Sequence, residues 1–300
     1  MTLLIPLRCL LYWRRWASAP LLSALAAAIL LPVAAPAMAW HAVISHADGP
    51  AQLIRKAIVH RAPAGVPLQA GDIVESGTSM VQLEWPDGAR LALGPASSML
   101  VGAEGDMATV SVLRGWAKFA TTAPAGGRLM LEAGPMRLLA AGTSGILHLA
   151  ADKTEFFVEI GAVSATDTDL RPARSTTVGR EQYAVRAGAR QLAVAPRAPR
   201  LFVQGMPRAF LDPLVAVAAR TLAAVPVPQR PLSAADIGAW RDAGLPLRTR
   251  LARQFAARLS DPVFRNQIED MVDNHPEWRD LLRRQRAPKG RAYTPHNQLF

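Results

Sequence analysis

Residues 68–101 read LQAGDIVESGTSMVQLEWPDGARLALGPASSMLV, and their pattern decides the fold. Apolar Val81, Leu83 and Trp85 alternate with polar residues, which is the period of a strand with one buried face. The sequence Pro86-Asp87-Gly88 then supplies turn chemistry, after which the alternation resumes. The segment therefore predicts a β-hairpin.

Further short apolar runs, separated by glycine and proline turns, extend the same pattern. They occupy residues 110–113, 116–119, 129–131, 136–141, 146–149, 156–160, 162–165 and 182–187. Turn signals at this regular spacing are typical of all-β domains. We expect a mainly β N-terminal domain over residues 40–194, either a β-sandwich or a short β-helix-like fold.

The chain changes character near residue 195. Prolines and arginines predict an extended linker over residues 195–206, because proline cannot donate a regular backbone hydrogen bond. A small α-helical C-terminal module is expected over residues 207–285, followed by a basic, disordered tail at 286–300. Pro207 can open the first helix of this module, with the apolar residues Phe210, Leu214, Val217 and Leu222.

Three further helix starts are marked by capping chemistry. Ser233 and Asp236 form a capping box, and Asp261-Pro262 and His275-Pro276 place a proline at the first helical position. From Pro246 onward one apolar stripe recurs every fourth residue, at Leu247, Leu251, Phe255 and Leu259. These helices can bury their stripes only against one another or against the β domain.

Residues 1–39 have the features of an export signal. Arginines precede an apolar stretch, and Ala37-Met38-Ala39 is a cleavage signature that places the mature start at Trp40. The alternative is an uncleaved anchor in the inner membrane, because the apolar stretch approaches the length of a membrane span. We expect cleavage and a periplasmic location. The single cysteine, Cys9, would leave with the leader, so no disulfide or cysteine metal site is expected.

Charge is unevenly distributed. Residues 40–170 hold 13 acidic and 9 basic residues, whereas residues 171–300 hold 10 acidic and 22 basic residues. Arginine binds phosphate and carboxylate groups in bidentate fashion, so the basic half is a candidate surface for anionic polymers or lipid headgroups. The alternative is a solvated helix face. The candidate residues are Arg248, Arg250, Arg253, Arg258, Arg279, Arg283, Arg284 and Arg286.

Catalytic constellations are not found in the sequence. Thr143-Ser144-Gly145 lacks the nucleophile-elbow pattern, and Glu155 and Glu159 alternate with Phe157 as on a solvated strand face. We therefore expect no enzyme, no metal and no cofactor. Trp85 and Trp116 are candidate aromatics for stacking on a carbohydrate ligand. Nucleic acid is not expected as a partner of an exported protein.

The β region resembles the FecR-like periplasmic domain. The resemblance rests on ordered motifs over about residues 47–165, and reaches towards residue 187. They are Gly71-Asp72, Ser76-Gly77-Thr78, the segment DGARLALGP at 87–95, Leu113-Arg114-Gly115, Ala141-Gly142-Thr143 and the segment 157–163 with Glu159-Ile160-Gly161. The family continues Gly-Thr with an acidic and an aromatic residue, whereas here Ser144 and Gly145 follow. Residues 235–282 resemble the helical tail of some proteobacterial FecR-domain proteins, notably at 260–265 and 275–278.

The resemblance implies a periplasmic sensor. Founding members carry this domain on a membrane protein with a cytoplasmic anti-sigma segment, and they sense an outer-membrane transporter. Only about 15 residues precede the apolar leader here, too few for a folded cytoplasmic domain. Signalling of the founding kind is therefore not expected of this chain alone.

Three hypotheses follow. The first is a non-enzymatic periplasmic binding or scaffold protein whose basic half contacts anionic components of the cell envelope. The second is a stand-alone regulatory domain that acts through a membrane protein partner in cell-surface signalling. The third is a hydrolase of envelope glycans, which requires two carboxyl groups about 5–10 Å apart in a cleft.

Overall fold

The computed structural model describes residues 42–104, 107–122, 127–217, 224–241 and 243–286. These residues form a mainly β structure with a smaller C-terminal helical region, which confirms the fold class predicted from the sequence. The leader at 1–39 and the basic tail beyond residue 286 lie outside the described residues.

Seventeen strands occur in the described residues. In chain order, β1 to β17 are Val43–Ala47, Ala51–Arg55, Ile58–Ala62, Ile73–Glu75, Val81–Glu84, Arg90–Leu93, Ser98–Glu104, Met107–Ala120, Arg128–Ala133, Met136–Ala141, Ser144–Ala150, Lys153–Ile160, Ala162–Asp167, Arg174–Gly179, Tyr183–Ala187, Ala193–Ala195 and Val227–Pro231.

The strands form two sheets that share β8. Sheet A has the order β1-β5-β6-β8-β11-β12-β15-β16. Sheet B has the order β17-β3-β2-β4-β7-β8-β9-β10-β13-β14. Every pairing is antiparallel except β8 with β9. The first half of β8 belongs to sheet B and its second half to sheet A, so this strand joins the two layers.

The change of sheet occurs at Gly115, which has a φ of 83°. A Cβ atom at this position would lie 2.8 Å from the Cα of Ser97. Both the positive φ and the close approach of the backbone require glycine here. The Leu-Arg-Gly motif of the sequence is therefore the point at which β8 bends.

The hairpin predicted from residues 81–93 is confirmed. Strands β5 and β6 pair with Val81 opposite Leu93 and Leu83 opposite Leu91. The backbone N–H of Gly88, which has a φ of 84°, donates to the carbonyl of Trp85 and closes the turn. Local turn chemistry alone thus sets the register of this pair.

One buried cluster fills the space between the sheets, as in a β-sandwich. Sheet A contributes side chains such as Leu83 and Phe119, and sheet B contributes side chains such as Leu53 and Val110. Because side chains alternate along a strand, each sheet also has an outer face. Described residues that follow β16 cover these two outer faces.

The C-terminal helices cover the outer face of sheet B. In the described residues the α-helices are α1 Arg200–Gly205, α2 Ala234–Gly238, α3 Leu245–Gln254, α4 Pro262–Met271 and α5 Arg279–Arg286; 3₁₀ turns occupy Arg208–Leu211, Ala256–Ser260 and Pro276–Trp278. The capping box at Ser233 and the cap at Asp261 are present as predicted. Of the predicted apolar stripe, Leu251, Phe255 and Leu259 are buried and Leu247 is partly buried, and they pack with Ile54 and Leu113 of sheet B in one cluster. The helix itself ends at Gln254, and Leu259 lies in the following 3₁₀ turn.

The helix predicted from Pro207 to Leu222 is wrong within the described residues. Only the 3₁₀ turn Arg208–Leu211 forms, and Asp212 is extended, with a φ of −90° and a ψ of 149°. Pro213 is the reason, because a proline disfavours helical backbone in the residue before it. Leu222 lies outside the described residues.

The segment expected to be a linker has regular structure. Residues 195–206 hold the end of β16 and all of α1, and Phe202 is buried against the outer face of sheet A. The following residues also lie against this face.

Candidate functional site

Residues 200–217, which we call the strap, lie across the outer face of sheet A. Three of their side chains are anchors, Phe202, Phe210 and Leu214, and all three are buried. They pack in one cluster with Ala92, Ile146 and Tyr183 of the sheet. The strap is thus a segment of one short helix, a 3₁₀ turn and an irregular end that a few apolar contacts hold on the surface of sheet A.

Polar side chains of sheet A bind the backbone of the strap. Lys118 Nζ donates to the carbonyl of Phe210 at 2.6 Å, Arg90 donates to that of Leu214 at 2.7 Å, and Gln82 donates to that of Val215 at 2.8 Å. In the opposite sense, the N–H of Val217 donates to Glu84 at 2.7 Å. Four adjacent sheet positions therefore hold four backbone groups of the strap.

Lys118 is the most buried of these polar residues, with 2 % of its side chain exposed. Its ammonium group also pairs with Glu159 at 2.9 Å. A buried charge is tolerated only when it is paired and hydrogen-bonded. The carbonyl of Phe210 on the strap therefore helps to offset the cost of burying the charge of Lys118.

A second polar cluster lies beside the Phe202 anchor and is centred on Glu155. This carboxylate accepts from Tyr183 at 2.5 Å and lies 2.9 Å from His148 Nδ1 and 2.8 Å from Lys153 Nζ. Burial alone would raise the pKa of Glu155, but the hydrogen bonds from His148, Lys153 and Tyr183 outweigh it and lower the pKa to about 2. Burial and the bond to Glu155 raise the pKa of Tyr183.

The Glu155 cluster does not have the properties of an acid–base site. Neither Glu155 nor Tyr183 changes its charge near neutral pH, because their pKa values move away from neutrality. A glycosidase needs a carboxylic acid with a raised pKa in an open cleft. Glu75 has a raised pKa, mainly through burial, but it is bonded to Trp240 and Gln52 under the helices. The described carboxyl groups thus give no support to the hydrolase hypothesis.

The two candidate tryptophans are not open platforms. Trp85 is 5 % exposed and belongs to the core between the sheets, so its ring presents no free face. Trp116 is half-buried, stacks on His148 with ring centroids 4.0 Å apart, and also contacts Phe202. Its ring therefore supports the Glu155 cluster and the strap.

The candidate arginines fall into two groups. Arg248, Arg250 and Arg258 bond within the fold: to the carbonyl of Asn274, to Ser111, and to Asp261 with the carbonyl of Leu232. The exposed group consists of Arg253 on α3, Arg279, Arg283 and Arg284 on α5, and also Arg250, whose side chain is 52 % exposed despite its bond to Ser111. Arg283 pairs with Asp280 at 2.8 Å, and the side chain of Arg286 lies outside the described part. The exposed basic surface is therefore smaller than the sequence predicts.

An open groove of about 650 Å³ separates the β9–β10 hairpin from the start of α3. Its charged lining residues have both signs: Glu132, Asp169, Arg137, Arg171 and Arg250. Glu132 pairs with Arg137 at 3.0 Å, and Arg250 lies 3.9 Å from Glu132. These groups largely satisfy one another, so the groove has no clear preference for a ligand charge.

The described residues contain neither a metal-binding cluster nor a helix that could span a membrane. No group of three or more histidine, cysteine, aspartate or glutamate side chains is arranged to hold a metal ion in the part of the chain that the structure describes. Within that same part, no helix has the length and apolar character needed to cross a membrane.

One feature of the sequence points to the strap-binding residues. Gln82, Glu84, Arg90 and Lys118 alternate with buried apolar residues on β5, β6 and β8, a pattern that fits a solvated strand face as well as a covered one. Lys118 is one of few lysines in the chain and sits in an otherwise apolar run. This unusual placement could have indicated a buried partner.

Comparison with known proteins gives little further information. No model of a known protein family matches the chain, and no curated protein sequence matches it. Two solved structures are similar, both described as "a putative anti-sigma factor from Parabacteroides distasonis ATCC 8503". Each is 14 % identical, with TM-scores of 0.36 and 0.37, over 42 % and 44 % of this chain. The matched regions cover 59 % and 64 % of those structures. We base no argument on a similarity of this level.

Proposed function

We propose that the chain is an exported, non-enzymatic regulatory module that acts by binding a protein partner in the cell envelope. The FecR-like motifs of the sequence, in particular the hairpin at 81–93 and the bend at Gly115, are consistent with this role. A partner protein at the membrane would carry the signal onward.

The observation that carries the proposal is the apolar surface of the strap. Leu201, Val203, Leu211 and Val215 all lie exposed within fifteen residues of one segment. Exposed apolar side chains that lie together on a surface often mark a protein interaction site. Lys118, Arg90 and Gln82 of the sheet bind the backbone of this segment, which leaves these apolar side chains on its outer side.

Site-specific photo-crosslinking in cells tests the proposal. A photoreactive amino acid is placed at Val215 on the strap, or at Val263 on α4, which is similarly exposed and serves as the matched control. We expect a discrete crosslinked envelope protein from position 215 that is absent from position 263. The same band should disappear when Leu211→Asp is added. Equal crosslinking from both positions, or none from either, would contradict the proposal.

A second candidate function is binding of anionic envelope components. Arg253, Arg279 and Arg284 favour it because their side chains are exposed on the C-terminal helices. Such binding would weaken with ionic strength, because salt screens exposed charges beyond about 10 Å at 0.1 M. Sedimentation with anionic and neutral lipid vesicles at low and high salt separates this function from the first.

A further inference from the structure

We propose that the outer face of sheet A is a peptide-binding site, and that the strap is its resident and exchangeable occupant. The ligand would be a short segment of a partner protein that adopts the conformation of the strap and carries an aromatic residue followed four positions later by an aliphatic residue. This inference rests on the proposed function and names the chemistry of the partner.

The first argument is that polar side chains of the sheet bind the backbone of the strap. Lys118, Arg90 and Gln82 bind three carbonyl groups, and Glu84 binds one N–H. Recognition through main-chain groups tolerates changes of sequence, whereas the pockets for alternate side chains give specificity. A second peptide of the same shape would satisfy the same four groups.

The second argument concerns Phe210 and Leu214, the two of the three anchors that lie in the part of the strap held by these bonds. Both are buried in the cluster around Ala92 and Ile146, while the neighbouring Leu211 and Val215 are exposed. In this part of the strap the sheet therefore contacts an aromatic and an aliphatic side chain spaced by four positions. These two side chains define the specificity that we assign to the ligand.

The third argument is that the uncovered face would remain compatible with water. Lys118, Glu159, Arg90, Gln82 and Glu84 would regain hydration if the strap left. A surface designed for permanent burial is usually apolar, because buried polar groups cost free energy unless they are bonded. Their presence under the strap fits a face that is open for part of the time.

The covalent connection of the strap to the rest of the chain explains why a separate peptide would compete poorly with it. Residues 200–217 are part of the same chain, so their effective concentration at the site is high, on the order of millimolar. The apparent affinity for an external peptide equals its intrinsic affinity multiplied by the fraction of molecules in which the site is open. Weakening the strap should therefore raise the affinity for the same sequence added from outside.

The experiment uses the full chain and a fluorescent synthetic peptide of residues 206–217. We expect the variant Phe210→Ala/Leu214→Ala to bind this peptide at least about tenfold more tightly than the unmodified chain, as strap release removes the competing occupant. The control peptide carries alanine at both anchor positions and should not bind. Adding Lys118→Met to the variant should reduce binding by about tenfold. A folded variant that fails to bind, or that binds both peptides equally, would overturn the proposal.

Hydrogen exchange of the unmodified chain provides a test that does not depend on a variant. The amide of Val217 should exchange by local opening, faster than amides of β8, and faster still when excess peptide occupies the site. Exchange of this amide only through global unfolding would refute an exchangeable strap. If peptide binding succeeds while the crosslinking at position 215 fails, the site exists but the proposed cellular function is wrong.

Discussion

The outer faces of the two sheets are both covered, but by different means. On sheet B the cover is a layer of helices, and 18 buried apolar residues form the joint cluster. On sheet A the cover is the strap, and the corresponding cluster has six buried residues. Hydrophobic burial holds the first cover, whereas side-chain bonds to the backbone hold much of the second. The cover of sheet B is therefore part of a hydrophobic core, whereas the cover of sheet A is the one that we propose to be exchangeable.

The largest expected effect comes from the helical cover of sheet B. Trp240 is 1 % exposed, and its Nε1 donates to Glu75 at 2.8 Å. We expect Trp240→Ala to lower the free energy of unfolding by about 3–5 kcal/mol, because it leaves a cavity and an unpaired buried carboxyl oxygen. Urea unfolding measures this loss. Trp240→Phe, which keeps most of the packing, should lose much less; equal losses would mean that the cavity is not the cause.

Glu155, on sheet A, should control the acid stability of that face. Its pKa of about 2 in the folded chain lies below the ordinary value of 4.5, so its stabilising contribution is complete above pH 4.5 and is lost as the pH falls through 2. We expect Glu155→Gln to lower stability at pH 7 by about 2–3 kcal/mol and to flatten the pH dependence between 4.5 and 2. Thermal unfolding over pH 2–7 tests this. An unchanged pH profile in the variant would disprove the assignment.

Phe210→Ala distinguishes an exchangeable cover from a permanent one. Phe210 is fully buried, and removal of such a side chain from a core costs about 3–5 kcal/mol. If the strap opens locally, the loss in global unfolding is limited to the free energy that holds the strap closed, and we expect less than about 2 kcal/mol. Urea unfolding followed at the core gives the value. A loss as large as that of Trp240→Ala would make the two covers equivalent.

Glu75 should change the pH dependence of stability in the opposite direction from Glu155. Burial raises its pKa, so the ionised form is disfavoured in the folded chain and stability falls as the pH rises from 4.5 through the folded pKa. Glu75→Gln keeps an acceptor for Trp240 and removes the charge. We expect equal stability at pH 7 or a gain below about 1 kcal/mol. A clear loss at pH 7, measured by urea unfolding, would show that the charge is needed there.

The smallest effect on stability is expected at the exposed arginines. The triple variant Arg279→Gln/Arg283→Gln/Arg284→Gln should change the free energy of unfolding by less than about 0.5 kcal/mol. If the anionic-surface function holds, the same variant should lose binding to anionic vesicles at low salt. A matched variant with Arg174, Arg180 and Arg190 replaced by glutamine removes the same charge from another exposed region. Equal loss in both variants would indicate an effect of net charge alone.

Much of the fold can be predicted from the sequence where the signals are local. The hairpin at 81–93, the capping box at Ser233 and the cap at Asp261 each depend on residues within a few positions. Turn and cap chemistry acts over that range, so the sequence contains the whole cause. Pro213 is also a local signal, because a proline disfavours helical backbone at the preceding Asp212. The helix expected from Pro207 did not take this effect into account.

The candidate site could not be predicted because its contacts are distant in sequence. Lys118 and Phe210 are 92 positions apart, and Gln82 and Val215 are 133 apart. Alternation on β5 and β8 shows which side chains point to the outer face of the sheet, but it does not show which segment covers them. Exposure and burial under another segment give the same pattern of polar residues, and only the tertiary structure separates them.

The position of β8 has a consequence for the order in which the chain can fold as it emerges. Strands β1 to β7 all lie on one side of β8, and β9 to β16 lie on the other side, in both sheets. A nascent chain of 120 residues therefore already contains one lateral half of each layer, apart from the edge strand β17. The strap contacts Arg90 from the first half and Tyr183 from the second. It can close only after both halves of sheet A are assembled, so its closure marks the completion of that sheet.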